Sequence, residues 1–344
     1  MTSTSSPSRL RADGPRLSFV QQEDVRAGLP ADGQPPQDGG LLEREITAGL
    51  MQARAVISPK FLYDERGSAL FEAITQLPEY YLTRSERSIL QRHGESIADS
   101  VGPDRTVIEP GAGNCEKARA LCLRIQAREF IGMDISFDHL RHAVTRLAQN
   151  MPWLRARAVA ADITRSLELP ADVPRGNRLV FYPGSSIGNF EPAQAVRLLS
   201  RMRELLGPAQ EEGGLLIGFD LPKPAHLLEA AYDDAAGVTA AFNRNVLEHA
   251  NRIIGGDFKP DGWKHVALFD AGLSRVEMHL EAVGEQRVRW RGGGRDFASG
   301  ERIHTENSYK YSRESFASML GEAGFAHWRS WSDERGFFAV VHAW

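Results

Sequence analysis

Between residues 109 and 162 the chain sets out a glycine-rich loop and three acids in an order suited to holding a nucleoside. The loop Glu109-Pro110-Gly111-Ala112-Gly113-Asn114 closes the apolar run TVIEP. Glycine at 111 and 113 lets backbone approach a ligand closely. Asp134 ends the next apolar run, where a carboxylate can accept from both hydroxyls of a ribose. Asp162 ends the third, where an acid can accept from an adenine amino group. A dinucleotide fingerprint asks for a third small residue beneath the pyrophosphate. Glu116 stands there instead, and its charge would repel a diphosphate. Glu109, Gly111, Gly113, Asp134 and Asp162 together match a site for S-adenosylmethionine (AdoMet), which has no pyrophosphate. A nicotinamide-dependent oxidoreductase is the alternative that Glu116 and Asp162 count against.

Acids that converge on one ligand need strands that end together. The runs TVIEP (106–110), EFIGMD (129–134), ARAVAAD (156–162), NRLVFYP (177–183) and GLLIGFD (214–220) are short and near-continuously apolar. Helical patterns over 115–127, 137–150 and 192–206 separate them. This alternation predicts right-handed βαβ units and a parallel sheet covered on both faces. Upstream, 41–56 is spaced as an amphipathic helix. A turn at Asp64–Gly67, a short helix, a Leu77-Pro78 break and another helix follow. After Asp220 the period changes: 225–254 is spaced as one helix, and KHVALFD, SRVEMHLEAV and EQRVRWR alternate as an antiparallel meander. A helix near 313–322 and two closing strands imply a mixed sheet.

Composition bounds the class. The chain has 344 residues, 42% hydrophobic and 25% charged, with a net charge of -4. That length supports about two domains. The charge balance argues against non-specific nucleic-acid binding, and no run approaches the ~20 apolar residues of a membrane span. Cys115 and Cys122 form neither a disulfide framework nor a zinc motif. A soluble, cytoplasmic protein is expected. Residues 1–40, rich in Ser, Pro, Gly and Asp, are expected to be a disordered tail. His139 and His142 lack partners at metal-ligand spacing, and Gly292-Gly293-Gly294 is a turn with no phosphate-loop Lys-Ser/Thr behind it.

Six blocks, FLYDERGSALFEAITQLPEYYLTRSE, EPGAGNCEKA, YPGSSIGNF, AYDDAAGVTAAFNRNVL, RVEMHL and TENSYKY, occur in that order. Together they resemble the L-histidine Nα-methyltransferases of ergothioneine biosynthesis, from about Leu41 to Trp344. The resemblance implies a Rossmann-like class I methyltransferase sheet with a second, smaller α+β substrate domain. It places 41–84 plus 221–309 in the substrate domain and 85–220 plus 310–344 in the AdoMet domain. It implies three methyl transfers to the α-amino nitrogen of L-histidine, giving hercynine, by a monomer.

By the same resemblance Gly111, Lys117, Asp134 and Asp162 hold AdoMet, and Tyr80 lies near the transferring methyl. Asn189 holds the substrate amine, and Tyr63 and Tyr232 reach the carboxylate and amine region. Tyr63 and Asn189 are the catalytic candidates. Glu306 and Ser308 read the imidazole, with Met278 beside the ring. The chain departs from the family's loop at Pro110, Ala112, Asn114 and Cys115, and at Pro183. Relatives acting on another amino acid, such as a tryptophan derivative, would differ around Glu306 and Met278.

Overall fold

The computed structural model describes residues 16–21, 38–207 and 213–344. Its larger sheet has eight strands in the order β1-β5-β4-β3-β6-β7-β14-β13. The parallel centre is β3 (Thr106–Pro110), β4 (Glu129–Asp134), β5 (Arg155–Ala160), β6 (Arg178–Tyr182) and β7 (Gly214–Asp220). Every residue of β3, β6 and β7 is buried, which is why these runs lack polar alternation. β14 (Phe338–Ala343) runs antiparallel to β7, and β13 (Trp328–Ser332) antiparallel to β14. The chain first winds outward from β3 to β5, then crosses to β6 on the other side of β3. Strand order therefore reverses between β3 and β6, and a ligand crevice is expected at their carboxyl ends.

Two expectations about the N-terminal region are corrected. Leu17–Val20 is a strand, β1, paired parallel to β5, rather than part of a disordered tail. The run Leu-Ser-Phe-Val has strand-forming side chains, and the open edge of β5 offers it unpaired backbone groups. The first helix, α1 (Asp38–Leu50), begins before residue 41 and ends before 56. The rest of the expected tail lies outside the described residues.

The smaller sheet has the order β2-β12-β9-β8: β2 (Ala55–Val56), β8 (Trp263–Asp270), β9 (Arg275–Ala282) and β12 (Arg302–Tyr309). The meander stops after two strands. β10 (Gln286–Trp290) turns away to pair with β11 (Gly293–Phe297), and β12 returns beside β9. The residue-84 boundary falls inside α3 (Tyr81–Arg92), which follows α2 (Glu65–Ile74) and packs on β14 and β13. The whole of α3 therefore goes with the larger sheet, followed by α4 (Gly94–Val101), α5 (Glu116–Arg124), α6 (Phe137–Asn150) and α7 (Pro192–Leu205).

The expected helix over 225–254 is two helices, α8 (Ala225–Tyr232) and α9 (Val238–Ile254). Asp234 Oδ1 and Oδ2 accept from the backbone N–H groups of Thr239 and Val238 at 2.7 and 2.9 Å, and Gly237 adopts φ +71°. A carboxylate cap and a left-handed glycine restart the helix, overriding the apolar spacing that runs through the break. The break leaves Tyr232 at the end of α8. The last helix, α10 (Arg313–Glu322), lies where its spacing predicts.

Close backbone packing holds the segment before α2. A Cβ on Gly67 would lie 1.8 Å from the Leu62 carbonyl oxygen, whereas one on Gly321, in α10, would meet nothing within 4 Å. Gly67→Ala is expected to lower stability by about 1–3 kcal/mol through overpacking. Gly321→Ala should raise it by about 0.4–1 kcal/mol, through reduced freedom of the unfolded chain. Urea unfolding midpoints check both, and equal midpoints for the two variants would contradict the packing.

Candidate active site

At the carboxyl ends of β3 to β6 lies a cleft of about 1420 Å³, lined by Gly111–Asn114, Asp134–Ser136, Asp162–Thr164 and Pro183, Gly184 and Asn189. The loop after β3 is pinned to the neighbouring strand: the N–H groups of Gly111 and Ala112 donate to the Met133 carbonyl at 2.7 and 3.1 Å. Gly111 and Gly113 have φ of +69° and +51°, a conformation that side chains resist. A Cβ on Gly111 would come no nearer than 3.9 Å to another atom and one on Gly113 would touch nothing, so the loop presents bare backbone to the cleft.

The acids at the strand ends are already partly engaged. Asp134 Oδ2 accepts from Gly113 N–H at 3.1 Å and Oδ1 from Ser136 N–H at 2.8 Å. Asp162 Oδ1 accepts from the N–H and hydroxyl of Thr164, and Oδ2 from Lys60 Nζ at 2.8 Å. The lysine and threonine bonds together hold the Asp162 carboxyl below its usual range despite burial. Lys117 Nζ contacts Glu86 Oε2 at 2.5 Å, and both Glu86 oxygens accept from Gly184 N–H. Glu109 also lines the cleft; it is 2% exposed and its Oε2 has no partner. Burial pushes its carboxyl well up, against the pull of Lys117. An uncompensated carboxyl here suits a cationic ligand such as AdoMet and not a diphosphate.

Tyr63, Tyr80 and Asn189 share this cleft. Tyr63 follows a short helical turn, Pro59–Leu62, and its carbonyl accepts from Ser136 Oγ at 2.6 Å, tying it to the Asp134 loop. Its ring meets Phe71 and Phe242 edge-on, with centroids 5.5 and 5.4 Å away. Tyr80 caps α3, and Arg84 clamps the preceding turn through the carbonyls of Leu77, Pro78 and Tyr80. Burial, followed by nearby acids and phenols, raises both tyrosine pKa values well above the ordinary value. Asn189 ends a 3-10 turn, Ser186–Asn189, entered through Gly184 at φ +84° and Ser185 at φ +62°.

Tyr232, Met278, Glu306 and Ser308 form a second, buried layer. It joins the cleft through Tyr80, whose ring lies 6.3 Å from that of Tyr232. Glu306 is close enough to Tyr63, Tyr80 and Tyr232 to raise the pKa of all three. A bulge in β12 makes this layer possible. His304 pairs with His279, but Glu306 pairs with Met278, so one extra residue enters β12 between them. Ile303 opposes Leu280 on the inner face of β9, and simple alternation would put Thr305 there next, with Glu306 outside. The bulge turns Glu306 and Ser308 inward instead. Glu306 is 7% exposed, and burial raises its carboxyl to about 7 although Lys310 opposes the shift.

Sequence reasoning missed the ion network beneath this layer. Lys310 is fully buried and sits 3.0 Å from Asp220 Oδ2, which also accepts from the Tyr81 hydroxyl at 2.6 Å; Lys223 donates to Oδ1 at 2.7 Å. Burial lowers Lys223 to about 8. Asp220 was visible as the acid ending GLLIGFD, and Lys310 lies within TENSYKY, but no local spacing links them. His142 is exposed, and His139 lies at the cleft edge, 3.8 Å from Glu72.

A doubly wound sheet and a cleft built for a cationic nucleoside define an AdoMet-dependent methyltransferase of Rossmann-like fold. The family described as histidine-specific, SAM-dependent methyltransferases matches residues 42–343, and the chain belongs to it. It is 40% identical over 306 residues to a histidine N-alpha-methyltransferase of Mycolicibacterium smegmatis, covering 87% of this chain and 93% of that protein. The enzyme of the same name from Mycobacterium tuberculosis is 38% identical over 315 residues, covering 88% and 95%. Ergothioneine biosynthesis protein 1 of Schizosaccharomyces pombe is 30% identical over 285 residues, covering 79% of this chain and 36% of that longer protein.

Proposed function

We propose that the chain transfers three methyl groups in succession from AdoMet to the α-amino nitrogen of L-histidine, making hercynine for ergothioneine biosynthesis. The observation that carries the substrate choice is Glu306, a carboxylate turned inward by a strand bulge beside Tyr63, Tyr80 and Tyr232. A buried carboxylate in an aromatic chamber favours a polar ring with an N–H to donate, and rejects rings that leave it unpaired. Met278, directly across from Glu306, supplies an adaptable apolar wall for that ring. Gly111, Lys117, Asp134 and Asp162 hold the cofactor in this reading.

AdoMet supplies an electrophilic methyl on a positive sulfonium, a reaction that positioning accelerates. The protein's part is to present a neutral amine. Asn189 orients that amine through its amide oxygen, which stabilises an ammonium less than a carboxylate would. Tyr63 and Tyr80 remain phenols across the physiological range because burial raises their pKa values. They can donate hydrogen bonds and offer ring faces, but as poor phenolates they do not serve as resting bases. The acceptor of the amine proton is therefore not a resting tyrosinate. Aromatic side chains of Tyr63, Phe71 and Tyr80, which line the cleft, suit the growing methylammonium.

In this reading the chain acts as a monomer. Two buried free thiols, Cys115 and Cys122, accord with a reducing compartment such as the cytoplasm. Mass spectrometry of the protein with AdoMet and an equimolar amino-acid pool tests the reading. Histidine alone should gain three methyl groups. Methylation of tryptophan or another amino acid would overturn the assignment of Glu306 and Ser308.

A further inference from the structure

The inward alternation of β12 carries on one residue beyond the end of the strand. Glu306, Ser308 and Lys310 follow at alternate positions, and the Lys310 side chain is entirely buried. Lys310 has three ammonium hydrogens and three oxygens around it. They are Asp220 Oδ2 at 3.0 Å, Ser308 Oγ at 2.8 Å and the Tyr232 hydroxyl at 3.1 Å. An ammonium can only donate, so both hydroxyl oxygens accept from it. Two hydrogens are donated to the hydroxyls and the charge is paired with Asp220, so Lys310, with no exposed surface, reaches a ligand only through its neighbours.

Ser308 Oγ and the Tyr232 hydroxyl are 2.6 Å apart, so one hydroxyl hydrogen lies between them. A phenol is the better donor and an aliphatic hydroxyl the better acceptor, which directs the Tyr232 hydrogen to Ser308. Ser308 Oγ then accepts from both Tyr232 and Lys310. Its two lone pairs are engaged, and its own hydrogen is left for the ligand. Glu306, two residues earlier on the same face, offers only lone pairs as a carboxylate.

We propose that Lys310 is a specificity-determining positioning residue: by donating to Ser308 and Tyr232 it fixes Ser308 as a donor, so that the site accepts the imidazole only in its neutral form. One ring nitrogen must carry a hydrogen for Glu306, and the other must be bare for Ser308. An imidazolium would set an N–H against the Ser308 hydrogen. This inference rests on the proposed histidine reading and adds to it which protonation state binds and which buried residue selects it. The charged and titratable groups facing the ring chamber are Glu306, Tyr63, Tyr80 and Tyr232, with Asp220 and Lys310 beneath.

The test is a nitrogen-15 spectrum of ring-labelled histidine bound to the protein with S-adenosylhomocysteine, at pH about 6.5, where the free ring is half protonated. The wild-type complex should show one N–H nitrogen and one bare nitrogen. In Lys310→Met, Ser308 is free to turn and accept, so Glu306 should draw a second proton onto the ring and both nitrogens should become N–H. The histidine KM should rise at least tenfold while AdoMet binding is unchanged. Asp220 keeps Lys223 and Tyr81 as partners in this variant. Ser308→Ala removes the same hydrogen with a smaller change and should also give a doubly protonated ring. A doubly protonated ring in the wild type, or a ring still neutral in either variant, overturns the proposal. Ring shifts unchanged from free histidine on adding wild-type protein would overturn the histidine reading itself, and this inference with it.

Discussion

Replacing Glu306 with alanine should weaken histidine binding by about 1.5–3 kcal/mol, or ~10–150-fold, the usual worth of a hydrogen bond to a charged group. AdoMet binding should be unchanged, because Glu306 lies in the buried layer behind Tyr80, away from the loops after β3, β4 and β5. Titration calorimetry with each ligand separates the two. Equal losses for both would mean that the substitution had disturbed the chamber generally and would remove Glu306 from ring recognition.

The same residue gives this result a pH signature. Burial raises the Glu306 carboxyl from 4.5 to about 7 in the empty protein, and ring recognition needs the ionised form. Ionisation of Glu306 should therefore contribute a fall in wild-type histidine affinity of about tenfold per unit as pH drops below 7, in addition to any fall from protonation of the free ring. Glu306→Gln, which cannot ionise, should lose that part of the slope. Stability runs the other way. Between pH 4.5 and about 7 the folded state holds a proton that the unfolded state has released. The stabilisation is complete below 4.5 and is lost as pH rises through 7. Unfolding midpoints of the empty wild type should fall across this window relative to Glu306→Gln; parallel curves would contradict the shift.

The parallel centre of the large sheet was legible because its strands are almost wholly buried and read as near-continuous apolar runs ending in an acid, glycine or proline. GLLIGFD maps onto β7 and 137–150 onto α6 residue for residue. The small domain was less legible, because local pattern was overridden there. Apolar spacing continues from α8 into α9 while Asp234 and Gly237 stop and restart the helix. EQRVRWR alternates as β9 does, yet it pairs with β11, a choice that depends on distant partners. The β12 bulge matters most for function. Alternation through TENSYKY puts Glu306 and Ser308 on the opposite face from Ile303, and only the family resemblance singled them out. The Lys310–Asp220 contact joins positions far apart in sequence, and nothing in the spacing of either announces it.

Asp134 carries the other large effect, because its carboxylate lies between the cofactor cleft and the substrate tyrosine. A ribose donating two hydroxyls to an ionised carboxylate makes two charge-assisted bonds, each worth about 1.5–3 kcal/mol. Asp134→Ala should therefore weaken AdoMet binding by at least ~10²-fold, read by calorimetry. The loss should also spill over to histidine. Asp134 Oδ1 holds the Ser136 N–H, and Ser136 Oγ holds the Tyr63 carbonyl at 2.6 Å, so removing the carboxylate loosens the segment that carries Tyr63. Asp134→Asn separates the two contributions. Its amide oxygen can still accept from Ser136 N–H, but the charge is gone and only one acceptor remains. In that variant AdoMet affinity should still fall about tenfold while histidine binding recovers to the wild-type value. Unchanged AdoMet affinity in Asp134→Ala would take Asp134 out of the cofactor site. A histidine loss that persists undiminished in Asp134→Asn would show that charge, and not the tether through Ser136, connects this acid to the substrate chamber.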